Sequence, residues 1–376
     1  MSRPEKLLRE LIALPSINPA FAPPGDPKSG EQRVADFLAA TAARAGLPVE
    51  FQTVEPGRAN FLTRLLPSGK IKQRILLAPH LDTVPAANEK QFSPFARAGR
   101  LYGRGACDTK GSVAAMFTAL IQLAEGSRRP SHTEIIFAGL IDEEAGQFGS
   151  RALAKSGLKA DLAIVGEPTE SKIVTAHKGS LWLRLETHGK AAHGARPDLG
   201  KNAIHEMARV VDLLETKYAA QLRRRRHPLL GHPTISVGTI AGGTQANVVP
   251  DRCVVTADRR TLPGETDQSV RREFLQLLRA NGLSVTLDNP KGASCLSLET
   301  DPELPIVRQF FDALGQKKAA GVDYFCDAAV LSRAGIPSVV FGPGNIAQAH
   351  TSDEWISIRS LEQANALLLK FLQSLP

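Results

Sequence analysis

A histidine and an aspartate, His80 and Asp82, stand two residues apart directly after a short apolar run at residues 75–78. Such a run is typical of a buried strand, and alternate residues of an extended chain point the same way, so both side chains can face one cleft. A carboxylate that orients a histidine ring is the usual arrangement behind a metal ligand. Taken singly, the pair is better explained as a hydrogen-bonded strand end, so the metal interpretation depends on further ligands elsewhere in the chain.

Further candidate ligands stand in the loops where an open α/β sheet places its sites. In chain order they are Asp108 in a glycine-rich turn, Glu143 and Glu144 after a strand at 133–141, Glu167 after a strand at 161–165, and His350 after a strand at 338–341. Histidine and carboxylate ligands without cysteine suit zinc, cobalt or manganese. A site for two metals needs a bridging carboxylate, a histidine and a carboxylate for each ion, and a free carboxylate to move protons. The set meets that requirement.

Two features could indicate a different function. The glycines at 103, 105 and 111 could bind phosphate, but the Gly-x-Gly follows a loop rather than a strand and Lys110 lacks the P-loop spacing. The net charge of +8 and the run Arg223, Arg224, Arg225 and Arg226 could indicate nucleic-acid binding. Because no aromatic residues are interleaved with this run, a solvated helix end explains it better.

Length and composition place the chain among soluble globular proteins. It has 376 residues, of which 43% are hydrophobic, and two domains are expected. Four cysteines without a Cys-x-x-Cys pair argue against a disulfide framework and against a thiolate zinc site. The first residues lack the unbroken apolar core of a signal peptide, and no run is long enough to span a membrane. We therefore expect a cytoplasmic protein.

The periodicity of apolar residues predicts an α/β class with a doubly wound, mostly parallel sheet. Helices are predicted at 5–14, 31–45, 111–124 and 149–156, and strands at 61–66, 75–78, 133–141 and 161–165. The βα rhythm resumes with helices at 304–314, 328–334 and 360–375 and the strand at 338–341. Residues 1–177 and 291–376 should therefore form one discontinuous catalytic domain.

The segment 178–290 has a different pattern. Strands with alternating polarity are predicted at 181–187, 234–240 and 253–261, and helices at 202–222 and 267–280. Alternation indicates a sheet with one covered face. The segment should be an inserted α+β sandwich that acts as a lid or dimerisation domain.

Six motifs, in this order along the chain, closely resemble those of the di-zinc deacylases. They are His80-x-Asp82, Gly103-Arg104-Gly105-x-x-Asp108-x-Lys110-Gly111, Asp142-Glu143-Glu144, Gly166-Glu167-Pro168-Thr169, Ala192-His193-Gly194-Ala195-x-Pro197, and Gly342-Pro343-Gly344 with His350. That family includes acetylornithine deacetylase, succinyl-diaminopimelate desuccinylase, aminoacylase and the carboxypeptidase G type. The resemblance covers essentially the whole chain, including the insertion.

The resemblance implies a role for each site residue. Asp108 would bridge two zinc ions, with cobalt or manganese as possible substitutes. His80 and Glu167 would complete the coordination of one ion, and Glu144 and His350 that of the other. Asp82 would orient His80, and Glu143 would be the general base that takes a proton from the water between the metals. The peptide bond Asp108-Thr109 would be cis.

The resemblance also implies roles for residues of the insertion. His193 would reach the active site of a second subunit and stabilise the oxyanion, so a homodimer through 178–290 is expected. Without the resemblance, a lone histidine in this turn would be interpreted as structural. Asn247 and Arg260 are the candidates for binding the substrate carboxylate. Arg259 competes with Arg260, because alternation along a strand shows that only one of the two faces inward.

The substrate is less well defined than the reaction. The segments 324–329 and 342–350 are most similar to those of acetylornithine deacetylases, which predicts deacetylation of N-acetyl-L-ornithine in arginine biosynthesis. Asp327 and Thr351 depart from that pattern. The alternatives are succinyl-diaminopimelate desuccinylase and a broader aminoacylase or dipeptidase. Outside this class, an inactive relative that binds a ligand or nucleic acid is the remaining hypothesis.

Overall fold

The computed structural model describes residues 1–290 and 295–376 of the chain. Its contacts divide the chain into two compact units. The first comprises Met1–Thr175, Thr300–Ala320 and Cys326–Pro376, and the second comprises Ala176–Glu299 and Gly321–Phe325. The predicted boundary after residue 290 borders residues 291–294, which lie outside the described residues.

Helices and strands alternate along most of the chain. The α-helices are α1 (Arg3–Ile12), α2 (Gln32–Arg44), α3 (Lys110–Glu125), α4 (Phe148–Lys155), α5 (Ala203–Leu213), α6 (Ala219–Leu222), α7 (Asp267–Ala280), α8 (Pro305–Leu314), α9 (Ala328–Arg333) and α10 (Ile358–Ser374). The strands are β1 (Val49–Glu55), β2 (Arg58–Leu65), β3 (Gln73–Pro79), β4 (Phe95–Arg97), β5 (Arg100–Tyr102), β6 (Thr133–Gly139), β7 (Leu162–Gly166), β8 (Val174–His177), β9 (Gly179–His188), β10 (Thr234–Gly242), β11 (Arg252–Thr261), β12 (Thr286–Asp288), β13 (Leu298–Glu299), β14 (Ala320–Val322), β15 (Ser338–Val340) and β16 (Trp355–Ser357).

The main sheet of the first unit has the strand order β1-β2-β6-β3-β7-β15. β3 runs parallel to both β6 and β7, and β15 runs parallel to β7. β1 and β2 add antiparallel strands at one edge, and β8 pairs antiparallel with β15 on its other side, so the sheet is mixed. β6 and β7 are buried along their whole length, as expected for strands covered on both faces. The predicted α/β class is confirmed. Its consequence for function is that β3, β6 and β7 end at the same edge of the sheet.

One apolar core fills the space between a face of this sheet and α1, α2, α3, α8 and α10. Alternate strand residues such as Leu77 and Phe137 point into it, whereas their neighbours Leu76 and Ile136 point to the other face, where α4 and α9 pack. α3 is buried on nearly all sides, which explains why its sequence is apolar all round rather than amphipathic. The helix that follows Asp108 is thus fixed in the core.

The second unit contains an antiparallel sheet with the order β10-β11-β9-β12. Along β11 buried and partly exposed residues alternate, and Cys253 and Val255 pack with Phe274 of α7. The separate antiparallel sheet with helices on one face agrees with the predicted α+β architecture.

Several local features differ from the sequence prediction, among them short strands such as β4, β5, β8 and β16, which were not predicted. The single helix predicted at 202–222 is interrupted by a π-helical turn at Leu214–Tyr218, which no proline or glycine marks in the sequence. β1 was not predicted either, although Val49 and Phe51 alternate with polar residues, and most of its residues are at least partly exposed. Among the described residues, no helix is both long and apolar enough to cross a membrane.

The run of four arginines follows the end of α6 at Leu222, as the helix-end interpretation predicts. Arg225 forms ion pairs with Glu265 and Glu273 of the same unit. At least one of the four positive charges is therefore neutralised within the protein.

Replacing Phe117 by alanine should destabilise the first unit strongly. Its ring is fully buried and lies 5.1 Å from the ring of Phe137, centroid to centroid. Loss of such a side chain costs about 3–5 kcal/mol of unfolding free energy because a cavity remains. Urea unfolding followed by circular dichroism measures the change. The matched control is Phe51→Ala, since the ring of Phe51 is 42% exposed; equal losses in the two variants would contradict the described core.

Candidate metal centre

His80 follows the last residue of β3, and its ring is almost fully buried. Nδ1 lies 3.0 Å from the backbone oxygen of Asp82 and 3.3 Å from its Oδ1, so the opposite nitrogen faces the other acidic groups. Nε2 lies 3.2 Å from Asp108 Oδ1 and 3.8 Å from Glu167 Oε1. Burial by itself would lower the pKa of His80, but hydrogen bonds with Asp108 and Asp82 outweigh it and raise that pKa.

Asp108 stands in the loop between β5 and α3, and the peptide bond to Thr109 is cis, as the resemblance implied. The backbone of this loop is held by the carboxylate of Glu354, which is not among the predicted site residues. Glu354 Oε1 accepts hydrogen bonds from the amides of Cys107 (2.8 Å) and Asp108 (3.0 Å). Its Oε2 accepts from the amide of Gly105 and from the Arg104 guanidinium. Glu354 thereby fixes the direction in which the Asp108 side chain leaves the loop.

The loop after β6 carries Glu143 and Glu144, and Asp82 holds its backbone. Asp82 Oδ1 accepts from the amide of Glu143 at 3.2 Å, and Oδ2 accepts from the amide of Glu144 at 3.1 Å. Asp82 therefore contacts both the ring of His80 and the loop that carries the predicted base. Of these two contacts, only the one with His80 was predicted.

His350 approaches the cluster from the C-terminal part of the chain and has a backbone φ of +61°. Its Nε2 lies 3.3 Å from Asp108 Oδ2 and 3.2 Å from Glu144 Oε2. These two hydrogen bonds raise the pKa of His350 to about 10. Asp108 thus has one carboxylate oxygen directed to each histidine, the geometry that a bridging ligand requires.

Negative charge is concentrated in a buried space. Burial is the largest cause that raises the pKa of Glu143, Glu144 and Glu167, and neighbouring carboxylates raise it further, to about 7 for Glu144. Burial acts on Asp108 as well, but hydrogen bonds from His350 and His80 lower its pKa below the usual value. Carboxylates crowded in this way need cations to remain ionised together.

The donor set fits divalent metal ions. Ligand atoms of His80, Asp108 and Glu144 lie within 4.8 Å of one another, and so do those of His80, Glu143 and Glu167. Glu144 Oε1 is buried and has no hydrogen-bond partner among the described residues, as expected for an oxygen that binds an ion. Nitrogen and oxygen donors without sulfur suit zinc, cobalt or manganese. Which ligand belongs to which ion stays a prediction.

The other predicted site residues lie in the second unit. His193 and Asn247 are neighbours there, since the amide of Gly194 donates to the backbone oxygen of Asn247 at 2.7 Å, and both side chains are exposed. Arg259 is fully buried, where it donates to Tyr218 Oη and Glu265. Arg260 is partly exposed and pairs with Asp258. Of the two arginines, Arg260 is therefore the one that a ligand can reach.

The sequence model of peptidase family M20/M25/M40 matches residues 76–374, which include every residue of the metal cluster. The chain belongs to this family. The resemblance stated above is thereby confirmed, and the family is one of metal-dependent hydrolases. The cluster of histidines and carboxylates at the edge of the sheet agrees with membership in a family of metal-dependent hydrolases.

Curated relatives cover most of the chain. An acetylornithine deacetylase of Proteus mirabilis is 32% identical over 385 residues, covering 98% of this chain and 96% of that protein. One from Myxococcus xanthus is 32% identical over 315 residues, covering 81% and 80%.

Solved structures share the fold at low identity. A metallo-carboxypeptidase of Sulfolobus solfataricus has a TM-score of 0.78 at 19% identity and covers 99% of both chains. A dinuclear metal-binding peptidase of Bacillus subtilis has a TM-score of 0.72 at 15% identity, covering 99% of this chain and 97% of that one. These likenesses establish the fold alone.

Replacing Asp108 by alanine should abolish tight metal binding. The cluster loses the carboxylate between the two histidines, so two cations would repel each other with too few ligands, and affinity should fall more than about a hundredfold. Metal content after dialysis, measured by mass spectrometry, and calorimetric titration with zinc give the result. Asp312→Ala, on the exposed face of α8, is the control. Wild-type metal content in folded Asp108→Ala protein would contradict the assignment.

Proposed function

We propose that the protein is a di-zinc hydrolase that cleaves the amide bond of an N-acylated amino acid, with N-acetyl-L-ornithine as its substrate. The observation that carries the proposal is the cluster in which the buried carboxylate of Asp108 faces both the buried His80 and the half-exposed His350. With Glu144 and Glu167 beside it, that cluster has the donors for two ions. Glu143 supplies the additional carboxylate.

Zinc ions bound to these residues would lower the pKa of water and polarise the acyl carbonyl. Glu143 is the proton carrier in the proposed reaction. As a carboxylate it can accept a proton from the attacking water, which leaves hydroxide to attack the carbonyl, and it can later give that proton to the leaving amine. Glu144 is less suited to this task, because its Oε2 already lies 3.2 Å from His350 Nε2.

The substrate assignment draws on the relatives. The two named above, at 32% identity over most of the chain, are acetylornithine deacetylases. A free amino-acid carboxylate would be bound by Arg260 and Asn247, since a guanidinium can bond a carboxylate in two places. Deacetylation of N-acetyl-L-ornithine would place the protein in arginine biosynthesis, in the cytoplasm.

A panel of N-acyl amino acids tests the reaction and the substrate together. Zinc-loaded and cobalt-loaded protein would be assayed for release of free amine from N-acetylornithine, N-succinyl-diaminopimelate, other N-acetyl amino acids and dipeptides. Turnover of N-acetylornithine should exceed that of the other compounds. In Glu143→Gln, turnover should fall by about a hundredfold or more, because the amide cannot accept the proton.

Metal content of Glu143→Gln should stay at the wild-type value, and Glu362→Gln, on the exposed face of α10, should keep full activity. Preference for the succinylated or dipeptide compounds would replace the proposed substrate. A metal-loaded protein that hydrolyses none of them would contradict the proposed reaction and favour an inactive binding relative.

We extend the proposal to a homodimer through the second unit, in which His193 of one subunit stabilises the oxyanion formed in the other. The exposure of His193 and its position beside Asn247 support the assignment, because a side chain used between subunits must be accessible in one chain. Removing such a donor typically costs about 2.7–4 kcal/mol of transition-state stabilisation.

Mixing inactive variants tests whether His193 acts between subunits. His193→Ala and Glu143→Gln chains would be combined under conditions that allow subunit exchange. If His193 acts on the partner's site, one site of each mixed dimer has an intact Glu143 and an intact His193, so each mixed dimer regains about half of wild-type activity. An equimolar mixture after full exchange, in which about half of the dimers are mixed, should regain about a quarter. His205→Ala, an exposed histidine on α5, is the control and should be active by itself. No recovery in a mixture with verified exchange would refute the shared site.

A further inference from the structure

Asn18 lies outside every motif singled out in the sequence, yet it is fully buried beside the metal centre. Residues 16–18 run alongside the segment that follows His80. The amide of Thr83 donates to the backbone oxygen of Ser16, and the amide of Asn18 donates to the backbone oxygen of Thr83, each at 2.9 Å. Two backbone bonds therefore fix the position of Asn18 relative to Asp82.

The side chain of Asn18 uses all of its main hydrogen-bonding groups. Nδ2 donates to Asp82 Oδ2 at 2.7 Å and to Asp142 Oδ1 at 3.0 Å. Oδ1 accepts from the amide of Ala20 at 2.9 Å. Since an N–H group must face Oδ1 and two carboxylates must face the NH₂ group, the orientation of the amide is determined by its partners. Asn18 is thus a neutral double donor between two buried carboxylates.

Both of these carboxylates hold the loop that carries Glu143. Asp82 accepts from the amides of Glu143 and Glu144, as described above. Asp142 Oδ2 accepts from the amide of Gly146 at 3.0 Å, and Asp142 itself has a backbone φ of +67°. The backbone is therefore held on both sides of the base, and the two anchors meet at Asn18.

The two anchors differ in their other contacts. Asp142 has a cationic partner, since Arg58 Nη2 lies 3.2 Å from its Oδ1 and also pairs with Glu31. Asp82 is fully buried, and the described contacts of its carboxylate are with His80, Asn18 and the two loop amides. Without Asn18, the carboxylates of Asp82 and Asp142 would both lose a hydrogen-bond donor and would face each other as two negative charges. Because both carboxylates hold the loop that carries Glu143, a shift of either would move that loop.

We propose that Asn18 is a positioning residue for the reaction, which acts through Asp82 and Asp142 to hold Glu143 where it can accept the proton of water. The inference rests on the proposed role of Glu143 as the base. The donor between the carboxylates, rather than the cap on the short turn at Pro19–Phe21, is the part of Asn18 that matters for turnover.

Asn18→Ser is the diagnostic variant. A serine hydroxyl can still accept from the amide of Ala20 and so keep the cap, but it cannot donate to two carboxylates at once. In zinc-loaded protein, kcat should fall by about tenfold to a hundredfold, the cost of a small displacement of a catalytic group, while KM changes by less than about twofold. Metal content should stay at the wild-type value. Asn18→Asp, which places a third carboxylate there, should lose more activity than Asn18→Ser.

The matched control is Asn365→Ala in α10, a buried asparagine whose Nδ2 donates to the backbone oxygen of Ala115. It should lower the unfolding free energy without changing kcat or KM. If Asn18→Ser merely lowers stability as this control does, with kcat intact, the positioning role is refuted.

A double variant identifies the route of the effect. If Asn18 acts through Glu143, adding Asn18→Ser to Glu143→Gln should lower the residual turnover by less than about twofold, since the base is already gone. A full additional tenfold loss would show that Asn18 acts elsewhere and would overturn the proposal.

Hydrogen exchange tests the positioning without any substrate. The amides of Glu143 and Glu144 should exchange at least about tenfold faster in zinc-loaded Asn18→Ser than in wild type, because their common acceptor is less firmly held. Amides of α10 should exchange at the wild-type rate. Unchanged exchange of the Glu143 and Glu144 amides overturns the inference about Asn18. A wild-type protein that is inactive on every compound of the panel overturns the proposed function instead, and hydrogen exchange then still decides whether Asn18 holds the loop.

Discussion

Glu143, Glu144 and Glu167 are carboxyl groups buried in one small space, and burial together with neighbouring negative charge raises the pKa of each. The fold of the first unit brings these carboxyl groups together, and other residues of the same unit offset the repulsion between them. Parallel pairing of β3 with β6 and β7 brings the ends of three strands to one edge, so the groups that follow them must share the space. Two histidines and a set of donors for divalent cations offset the repulsion.

A second group of carboxylates shapes the centre without being assigned to an ion. Asp82 accepts from the loop after β6, and Glu354 accepts from the loop before α3. Both loops are neither helix nor strand, so their backbone amides have no carbonyl acceptors from regular secondary structure. The two carboxylates accept these hydrogen bonds instead. Asp82 and Glu354 thereby fix the shape of the two loops, and the shape of each loop sets the direction of the candidate ligands that it carries.

Much of this arrangement could be predicted, because each candidate ligand follows a strand or turn that apolar periodicity reveals and the family motifs fix their order. The fold class was predicted for the same reason. Glu354 was missed since Asp353-Glu354 looks in sequence like any solvated acidic turn, and Asn18 was missed since it lies in an irregular segment before a proline. The choice between Arg259 and Arg260 required the structure, because alternation shows that the two differ but not which one packs against Tyr218.

The contact between Glu354 and the Asp108 loop has a consequence for biosynthesis. The amide of Asp108 and its acceptor are 246 residues apart in the chain, and Arg104 and its acceptor are 250 apart. Bringing groups so far apart in the chain together costs conformational entropy, because a long loop has to be closed. A nascent chain that has left the ribosome only as far as α9 still lacks β15, His350 and Glu354, so the loop that carries Asp108 has no acceptor for its amides. The Asp108 loop can therefore take its final shape only after the C-terminal part of the chain has been synthesised.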